Sequence, residues 1–254
     1  MCCLILRTLS GHNCECSGPG VSRPSRIVEL IGLAGAGKST ITRCLPKYSN
    51  QIVVEDLPSL RRQGDIPFFS LNTMLCLPTF ISQLMNKRGG RLLSRDEMVW
   101  MVLLQGWHRR LRRRAADGEK VIILDQGPVF LLMLLQRYGP ANLKWPNARR
   151  WWLRMSRKWA DTLDGAVWLD APDEVLAQRI RAREKWHGVK ERFDAEGIEY
   201  LQQYRVAFEE VISVMSASRD GFKVVRLNTG VQSQEQSAKR VLASLGLGGN
   251  DRER

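Results

Sequence analysis

The chain has 254 residues, of which 44% are hydrophobic, and it carries a formal net charge of +13 at pH 7. This length and composition are ordinary for a globular protein, and they exclude a chain too short or too polar to bury a core. The positive charge favours acidic ligands, nucleic acid or an anionic membrane surface as partners.

Residues 1–25 are predicted to form a tail of low order, rich in cysteine, glycine and proline. Its four cysteines surround His12 in a spacing that matches no familiar zinc pattern: Cys2, Cys3, Cys14 and Cys16. The apolar run Leu4–Leu6 is too short for the core of a secretory signal. Thiols in a tail that precedes the glycine-rich stretch at residues 32–39 indicate a reducing compartment, so we expect a cytoplasmic protein.

The most specific motif lies between Ile27 and Thr42. A short apolar run, Ile27 to Ile31, predicts a strand, and a helix is expected from Lys38 to about Leu45, where a proline follows. Between them, a glycine-rich turn matches the phosphate-loop pattern of glycine, four residues and then glycine-lysine-serine. A chance glycine-rich loop is the alternative interpretation.

Each residue type in this loop has a chemical reason to be there. Glycines let backbone N–H groups curl around phosphate oxygens, next to a helix N-terminus with partial positive charge. Lys38 has the reach to contact the β- and γ-phosphates, and the Ser39 hydroxyl is a ligand for Mg²⁺. The sequence therefore predicts binding of a nucleoside triphosphate.

A second apolar run, Gln51 to Val54, predicts a strand that delivers Glu55 and Asp56 at its carboxyl end. In open parallel sheets this end faces the ligand crevice, so the two carboxylates are candidate site residues. A helix cap or a solvated turn is the alternative.

No charged residue occurs from Ile66 to Asn86. The length suits a membrane span, but Pro67, Pro78 and the polar residues within it weaken that interpretation. We expect a buried or pocket-lining helical pair and no transmembrane span.

A capped helix is predicted from Met98 to Arg114. Its last turns carry five arginines: Arg109, Arg110, Arg112, Arg113 and Arg114. They form either a solvated basic face or the docking site of an anionic partner. We interpret His108, next to them, as a surface histidine.

The apolar run Val121 to Leu124 ends in Asp125, which is the Walker B arrangement for holding Mg²⁺. A plain strand-end turn is the alternative. Gln126 follows, whereas ATP-hydrolysing motors usually place a glutamate there to activate water. Its absence favours transfer of the phosphoryl group onto an acceptor.

Residues 144–163 are predicted to form a helix that packs Trp151, Met155, Trp159 and Leu163 in the core, or alternatively lies on a membrane surface.

A strand from Ala166 to Leu169 then ends at Asp170. Asp173 is expected to cap a helix through Arg183. Basic residues on that helix and the following loop predict a lid over a triphosphate, or a solvated face: Arg179, Arg181, Arg183, Lys185, Lys190 and Arg192.

The chain is expected to finish with a long helix from Ala195 to Ser218, a strand from Lys223 to Leu227 and a helix to about Leu245. Five strands alternating with helices predict an α/β fold, a three-layer α/β/α P-loop NTPase architecture with a mainly parallel five-stranded sheet. We expect one domain over residues 26–247, with the basic lid at about 179–194 and a frayed tail at 248–254.

Several of these segments resemble those of a known family. The run Gly32 to Thr40 looks like the loop of P-loop nucleoside and nucleotide kinases. Val167 to Pro172, the arginines at 179–183 and Glu191 to Asp194 resemble the strand, the lid and the next helix start of thymidylate kinases. The likeness extends from about Arg26 to Leu245.

The resemblance implies roles for individual residues. Asp125 and Ser39 would hold Mg²⁺, Arg179, Arg183 and Arg192 would be lid positions, and Glu55 or Asp56 would accept the acceptor's proton. The cofactor-binding set would be Gly32, Ala34, Gly35, Ala36, Gly37, Lys38, Ser39, Thr40, Arg179 and Arg192. The catalytic set would be Lys38, Asp125, Glu55, Asp56 and Arg183.

Two features depart from the kinase pattern. Asp125 is followed by Gln126 rather than arginine, and no substrate-side arginine is evident in the helix before the third strand. We predict an ATP- and Mg²⁺-dependent kinase whose acceptor is a nucleotide, nucleoside or other hydroxyl compound. The alternatives are an ATPase- or GTPase-type regulatory switch, and a nucleotide-binding protein acting at an anionic membrane or nucleic-acid surface. The sequence does not decide between a monomer and a homodimer.

Overall fold

The structure is a computed structural model that describes residues 25–85, 91–118, 120–182 and 195–247. These residues form five strands and eight helices. The strands are β1 (Arg26–Gly32), β2 (Ile52–Glu55), β3 (Val121–Asp125), β4 (Gly165–Asp170) and β5 (Lys223–Asn228). The helices are α1 (Lys38–Cys44), α2 (Ile66–Met85), α3 (Arg95–Ala116), α4 (Pro128–Tyr138), α5 (Arg149–Ala160), α6 (Asp173–Arg181), α7 (Ala195–Ser218) and α8 (Gln234–Ser244).

All strand pairs are parallel, and the order across the sheet is β2-β3-β1-β4-β5. The three central strands are buried on both faces because helices cover both sides of a parallel sheet. The helices α1 and α8 pack together, while α3, α4, α5 and α7 form a second group. The predicted α/β architecture is confirmed, and each predicted strand agrees with the structure to within one residue at either end.

The strand register places the functional end of the sheet. Leu30 of β1 lies opposite Asp125 of β3, and Gly32 lies opposite Leu169 of β4. On the other side of β3, Glu55 lies opposite Leu124. The carboxyl ends of all five strands therefore meet at one edge, which is where ligands bind in open α/β sheets.

The helix that follows residue 148 is a core element, as predicted, although its inner face differs slightly. Met155, Trp159 and Leu163 are buried, but Trp152 rather than Trp151 is the first tryptophan of the buried set. The indole N–H of Trp159 donates to the Leu104 carbonyl at 3.1 Å, which ties α5 to α3. Because Trp152 and Trp159 are buried in the core, the alternative interpretation, in which this helix lies with its tryptophans on a membrane surface, is wrong.

The prediction of a buried or pocket-lining helical pair in residues 66–86 is wrong in its burial and in its pairing. Residues Ile66–Met85 form one helix that continues through Pro78, and most of its side chains are exposed. Its buried side chains, Phe69, Asn72 and Cys76, recur every three or four residues, so only one face packs on α3.

The prediction that Asp173 caps a helix is also wrong. The N-cap of α6 is Pro172, and the Asp173 carboxylate instead accepts a hydrogen bond from Arg205 Nη1 at 2.6 Å. The same arginine binds Asp170 at the end of β4, with 3.0 Å between Nε and Oδ2. Arg205 therefore ties α7 to the start of α6.

Candidate active site

The loop between β1 and α1 has the backbone that its glycines predict. Gly35 and Gly37 have φ angles of 86° and 89°, in the left-handed region that favours glycine. A Cβ on Gly35 would lie 2.9 Å from the carbonyl oxygen of Leu176, and one on Gly32 would lie 2.0 Å from that of Leu169. The loop is therefore pressed against β4 and α6, in the concave form that presents backbone N–H groups to anions.

Lys38 folds back across this loop. Its Nζ donates to the carbonyl oxygens of Gly32, at 2.6 Å, and Leu33, at 2.9 Å. This arrangement holds an ammonium charge over the loop. Ser39 is exposed and Thr40 half-buried, both in the first turn of α1. The structure thus brings the predicted loop residues together: Gly32, Ala34, Gly35, Ala36, Gly37, Lys38, Ser39 and Thr40.

Asp125 ends β3, the strand next to β1, and α1 packs against both strands. Its Oδ1 is buried and has no hydrogen-bond partner within the described part of the chain. Leaving a buried carboxylate oxygen without a partner costs free energy, so this atom fits a position that a ligand satisfies. A hard cation such as Mg²⁺ prefers oxygen ligands and takes several of them from phosphates and water. Asp125 and Ser39 suit such a site.

Glu55, at the end of β2, lies in an ion-pair cluster formed by three elements. Its carboxylate is buried and pairs with Arg114 and Arg110 of α3, with 4.0 Å between Arg110 Nε and Glu55 Oε1. Arg110 also pairs with buried Asp65, which directly precedes α2. Burial opposes ionisation of Asp65, but hydrogen bonds from the Ser59 N–H and from Arg110 lower its pKa. The cluster therefore holds charged groups of both signs.

Asp56 is placed differently from its neighbour. Its side chain is 72% exposed and pairs with Arg62, with 3.0 Å between Oδ2 and Nη2. Of the two predicted carboxylates, only Glu55 is buried beside the site.

The arginines at the end of α3 do not form one solvated basic face, because three of them bind neighbouring elements. Arg110 and Arg114 are spaced four residues apart and turn towards Glu55, while Arg109 donates to Asn72 Oδ1 at 2.6 Å. Arg112 and Arg113 are exposed. Arg110 and Arg114 thus bind Glu55 at the end of β2, and their four-residue spacing within the run was the signal that they share one face of α3.

His108, interpreted from the sequence as a surface histidine, is half-buried. Its ring stacks edge-on against Trp159 at 6.0 Å between centroids, and burial lowers its pKa to about 4, with Lys158 and Arg109 adding to the effect.

Glu29, in the middle of β1, is fully buried and was missed by the sequence analysis. Its carboxylate accepts hydrogen bonds from the backbone N–H groups of Val129, at 2.8 Å, and Phe130, at 2.9 Å. Burial raises its pKa to about 8, and the negative charge of Asp125 adds to the effect. Glu29 thus anchors the start of α4, immediately after the turn that carries Asp125. The sequence did contain a signal for this buried residue, because Glu29 is a single glutamate inside an otherwise apolar strand.

On the other side of the loop, Arg179 of α6 reaches the end of β5. Its Nη2 donates to the Thr229 carbonyl at 2.8 Å, and the Thr229 hydroxyl donates to the Ala36 carbonyl at 3.1 Å. These residues line a cavity of about 220 Å³ together with Gly37 and Gln232. The cavity opens beside the phosphate loop. Thr229 and Gln232 follow the last strand and carried no sequence motif. The predicted lid positions Arg183 and Arg192 lie outside the described residues.

Comparison with protein families finds a match between residues 27–210 and a family described as an AAA domain. Comparison with the curated proteins finds no match.

Solved structures give fold-level likenesses. Thymidylate kinase from Candida albicans has 14% sequence identity and a TM-score of 0.51, over 90% of this chain and 96% of that one. Deoxyadenosine kinase from M. mycoides with bound dATP has 13% identity and a TM-score of 0.49, covering 87% and 99%. The YorR protein from Bacillus subtilis has 17% identity and a TM-score of 0.48, covering 87% and 96%.

Proposed function

The chain belongs to the AAA domain family of P-loop proteins, and from this premise we propose that it is an ATP- and Mg²⁺-dependent kinase. It would transfer the γ-phosphoryl group of ATP to a small acceptor, which is a nucleotide, a nucleoside or another hydroxyl compound. The proposed reaction draws on cellular ATP, and Cys44 and Cys76 are both free thiols, which supports a reducing, cytoplasmic setting.

The observation that carries this proposal is the meeting of three groups at one edge of the sheet. The phosphate loop follows β1, the unpartnered Oδ1 of Asp125 ends the neighbouring β3, and buried Glu55 ends β2 on the far side of β3. Neighbouring strands lie about 4.8 Å apart, so two strand spacings, about 10 Å, separate the donor side from the carboxylate. A γ-phosphoryl group and an acceptor hydroxyl fit within that distance.

On the donor side, the loop N–H groups would surround the β- and γ-phosphate oxygens. Lys38 would exchange its two carbonyl partners for these oxygens, a stronger pairing because both partners are charged. Mg²⁺, when bound, would be held by Ser39 and Asp125 and would neutralise charge on the phosphates. The cavity beside Arg179 and Thr229 has the position and size for part of the nucleoside.

On the acceptor side, Glu55 would orient the acceptor hydroxyl and take its proton. The acceptor oxygen forms a bond to the γ-phosphorus while the bond from that phosphorus to the β–γ bridging oxygen breaks, and ADP leaves. Arg110 and Arg114 keep the Glu55 carboxylate in one orientation through their ion pairs. Most of the rate would come from placing the two substrates and neutralising charge.

Gln126 stands where ATP-hydrolysing motors place a glutamate to activate water, which favours transfer over hydrolysis of the motor type. It occupies the position after Asp125 in a left-handed conformation, with a φ of 77°, and an amide is not a base for activating water. A phosphotransferase of this kind should release little phosphate when no acceptor is present.

The experiment is an acceptor screen with γ-labelled ATP and Mg²⁺. Pools of nucleosides, nucleoside monophosphates, sugars and lipid-linked alcohols are offered to the full chain, and labelled product is separated from labelled phosphate. We expect acceptor-dependent transfer that the Lys38→Ala variant lacks. Phosphate release that is the same with and without every acceptor pool would favour the switch or ATPase alternative instead.

A further inference from the structure

Thr229 is a buried residue just past the end of β5, and its side chain contacts the phosphate loop. It follows Asn228, the last residue of β5, and is 4% exposed. Its backbone N–H donates to the Asp170 carbonyl at 2.7 Å, next to the last pair of the ladder between β4 and β5. The sheet therefore fixes the position of Thr229 independently of the loop that it touches.

The Thr229 hydroxyl has a single hydrogen to donate, and its surroundings direct that hydrogen to Ala36. Two carbonyl oxygens, those of Ala36 and Asp170, lie 3.1 Å from Oγ1. The Asp170 carbonyl already accepts from the Thr229 N–H, so the hydroxyl satisfies the Ala36 carbonyl. Arg179 Nη1 donates to the same hydroxyl oxygen at 3.2 Å. The hydroxyl thus accepts from Arg179 and donates to the phosphate loop.

The Ala36 carbonyl belongs to the peptide group that joins Ala36 to Gly37. In a trans peptide the carbonyl and the N–H point in opposite directions. Holding the carbonyl towards Thr229 therefore turns the Gly37 N–H to the other side of the peptide. In a phosphate loop, N–H groups on that concave side are the donors that phosphate oxygens bind.

Packing alone does not fix the orientation of this peptide. Apart from its adjacent residues, a Cβ on Gly37 would have no neighbour within 4 Å in the described part of the chain, whereas Gly32 and Gly35 are pressed against β4 and α6. A half-turn of the peptide would change the Gly37 φ of 89° by about 180°, to a value that glycine also adopts. The carbonyl oxygen would then face the phosphate and repel it. A hydrogen bond to the Ala36 carbonyl opposes that turn.

We propose that Thr229 is a positioning residue for phosphate binding, whose hydroxyl holds the Ala36–Gly37 peptide with its N–H towards the triphosphate. Arg179 assists, because its guanidinium binds the hydroxyl and carbonyl of Thr229 and also contacts the Gly35 carbonyl at 3.4 Å. This role rests on the donor half of the proposed function, the binding of a triphosphate, and not on the transfer step or the acceptor.

A direct contact with the nucleoside is the competing role, because Thr229 also lines the cavity beside the loop. The two roles affect different parts of the nucleotide. Orientation of the loop peptide acts on the phosphates, so it should affect ATP and inorganic tripolyphosphate equally. A nucleoside contact would affect ATP only.

The test measures the affinity of the full chain for ATP and for tripolyphosphate by calorimetry, with Mg²⁺ present. Thr229→Val removes the hydroxyl and keeps the shape of the side chain, while Thr229→Ser keeps the hydroxyl. Thr162→Val is the matched control, since the Thr162 hydroxyl is also buried and donates to the Lys158 carbonyl at 2.8 Å. Thr162 precedes β4, at the opposite edge of the sheet from the phosphate loop. Thermal melting followed by circular dichroism compares the stabilities.

We expect Thr229→Val to weaken the binding of both ligands equally, by about tenfold, which is the upper end of the range for one hydrogen bond. Thr229→Ser should stay within about threefold of the unmodified chain. Thr162→Val should bind both ligands as the unmodified chain does, although its melting temperature falls as that of Thr229→Val does.

Three outcomes would overturn the proposal, and they are distinguishable. Equal affinities of Thr229→Val and the unmodified chain would overturn it and leave the donor site in place. A loss of affinity for ATP alone would replace it with the nucleoside contact. If the unmodified chain binds neither ligand, the proposed function fails at its donor step, and the role of Thr229 fails with it.

A second measurement does not depend on the folding of any variant. In the unmodified chain, the NMR signal of the Gly37 amide proton should move downfield when tripolyphosphate is added, because the N–H then donates to a charged oxygen. A Gly37 signal that stays in place while tripolyphosphate binds would also overturn the proposal.

Discussion

Arg114 and Glu55 form an ion pair that joins the last turn of α3 to the end of β2, across 59 positions of the chain. The two partners differ in exposure: the Glu55 side chain is 5% exposed, whereas that of Arg114 is 49% exposed. Arg110 approaches the same carboxylate from one turn earlier on α3. Glu55 is therefore a buried carboxylate with two partners, at the edge of the sheet where the phosphate loop also lies.

Glu55→Gln should lower kcat by about 100-fold or more, since a positioned general base contributes at least this factor. Asp56→Asn is the matched control, because Asp56 has the same charge one residue later but is exposed and pairs with Arg62 instead. Its kcat should stay within about twofold of the unmodified chain. Steady-state rates with the acceptor found in the screen measure both. The reverse ranking of these variants would move the base to Asp56.

A loss of stability must be separated from a loss of chemistry in this comparison. Glu55→Gln leaves Arg114 with a neutral partner and removes one of the two carboxylates that Arg110 contacts, so we expect a lower melting temperature as well. Rates are therefore taken well below the melting transition, and ATP affinity is measured alongside. A kcat that falls while ATP binds normally supports the assigned role.

Lys38→Ala should abolish phosphoryl transfer, with a loss of at least about 100-fold, because it removes the charge that neutralises the transferring group. Lys47→Ala, at an exposed lysine of the short 3₁₀ turn after α1, is the control and should have no effect. Initial rates at saturating ATP and Mg²⁺ give the comparison. Undiminished turnover by Lys38→Ala would contradict the donor site.

Asp125→Asn should raise the Mg²⁺ concentration needed for half-maximal rate. The neutral amide keeps the shape of the side chain but is a weaker ligand for a hard cation than a carboxylate. The rate is titrated with Mg²⁺ at fixed ATP, and the same titration of Asp56→Asn provides the control at an exposed carboxylate. If both variants follow the curve of the unmodified chain, Asp125 has no part in binding the metal.

The donor half of the site was predictable because its chemistry is local. Gly32 to Ser39 are consecutive, and the turn, the lysine and the hydroxyl are all set by one short stretch. Asp125 was predictable for a similar reason, since a run of apolar residues that ends in an aspartate indicates a strand end by itself.

The acceptor half was only partly predictable because it depends on contacts between distant residues. Which arginines of the run on α3 face Glu55 depends on the rotation of α3 against the sheet, and no local pattern gives that rotation. The exposure of α2 also depends on contacts between distant residues. An uncharged stretch of that length predicts burial, but the described part of the chain covers one of its faces and leaves the other exposed.

Glu29 makes the stability of the fold depend on pH. Its ordinary pKa is 4.5, and burial raises the folded-state pKa to about 8. Between these values the folded chain keeps a proton that the unfolded chain has released, so the free energy of unfolding falls as pH rises, by up to about 1.4 kcal/mol per pH unit. His108 acts in the opposite direction, but only between about 4 and 6.5, because burial lowers its pKa. The window from pH 6.5 to 8 lies above the range of His108, so among the described groups with a shifted pKa Glu29 dominates the slope there.

Glu29→Gln should remove most of this slope, since an amide does not titrate. The variant should be less stable than the unmodified chain at pH 6.5, because one amide oxygen replaces the two carboxyl oxygens that accept from Val129 and Phe130. Urea denaturation followed by circular dichroism across the window measures both effects. Glu174→Gln, at an exposed glutamate of α6, should keep the slope. Parallel pH profiles for Glu29→Gln and the unmodified chain would show that Glu29 does not hold a proton at neutral pH.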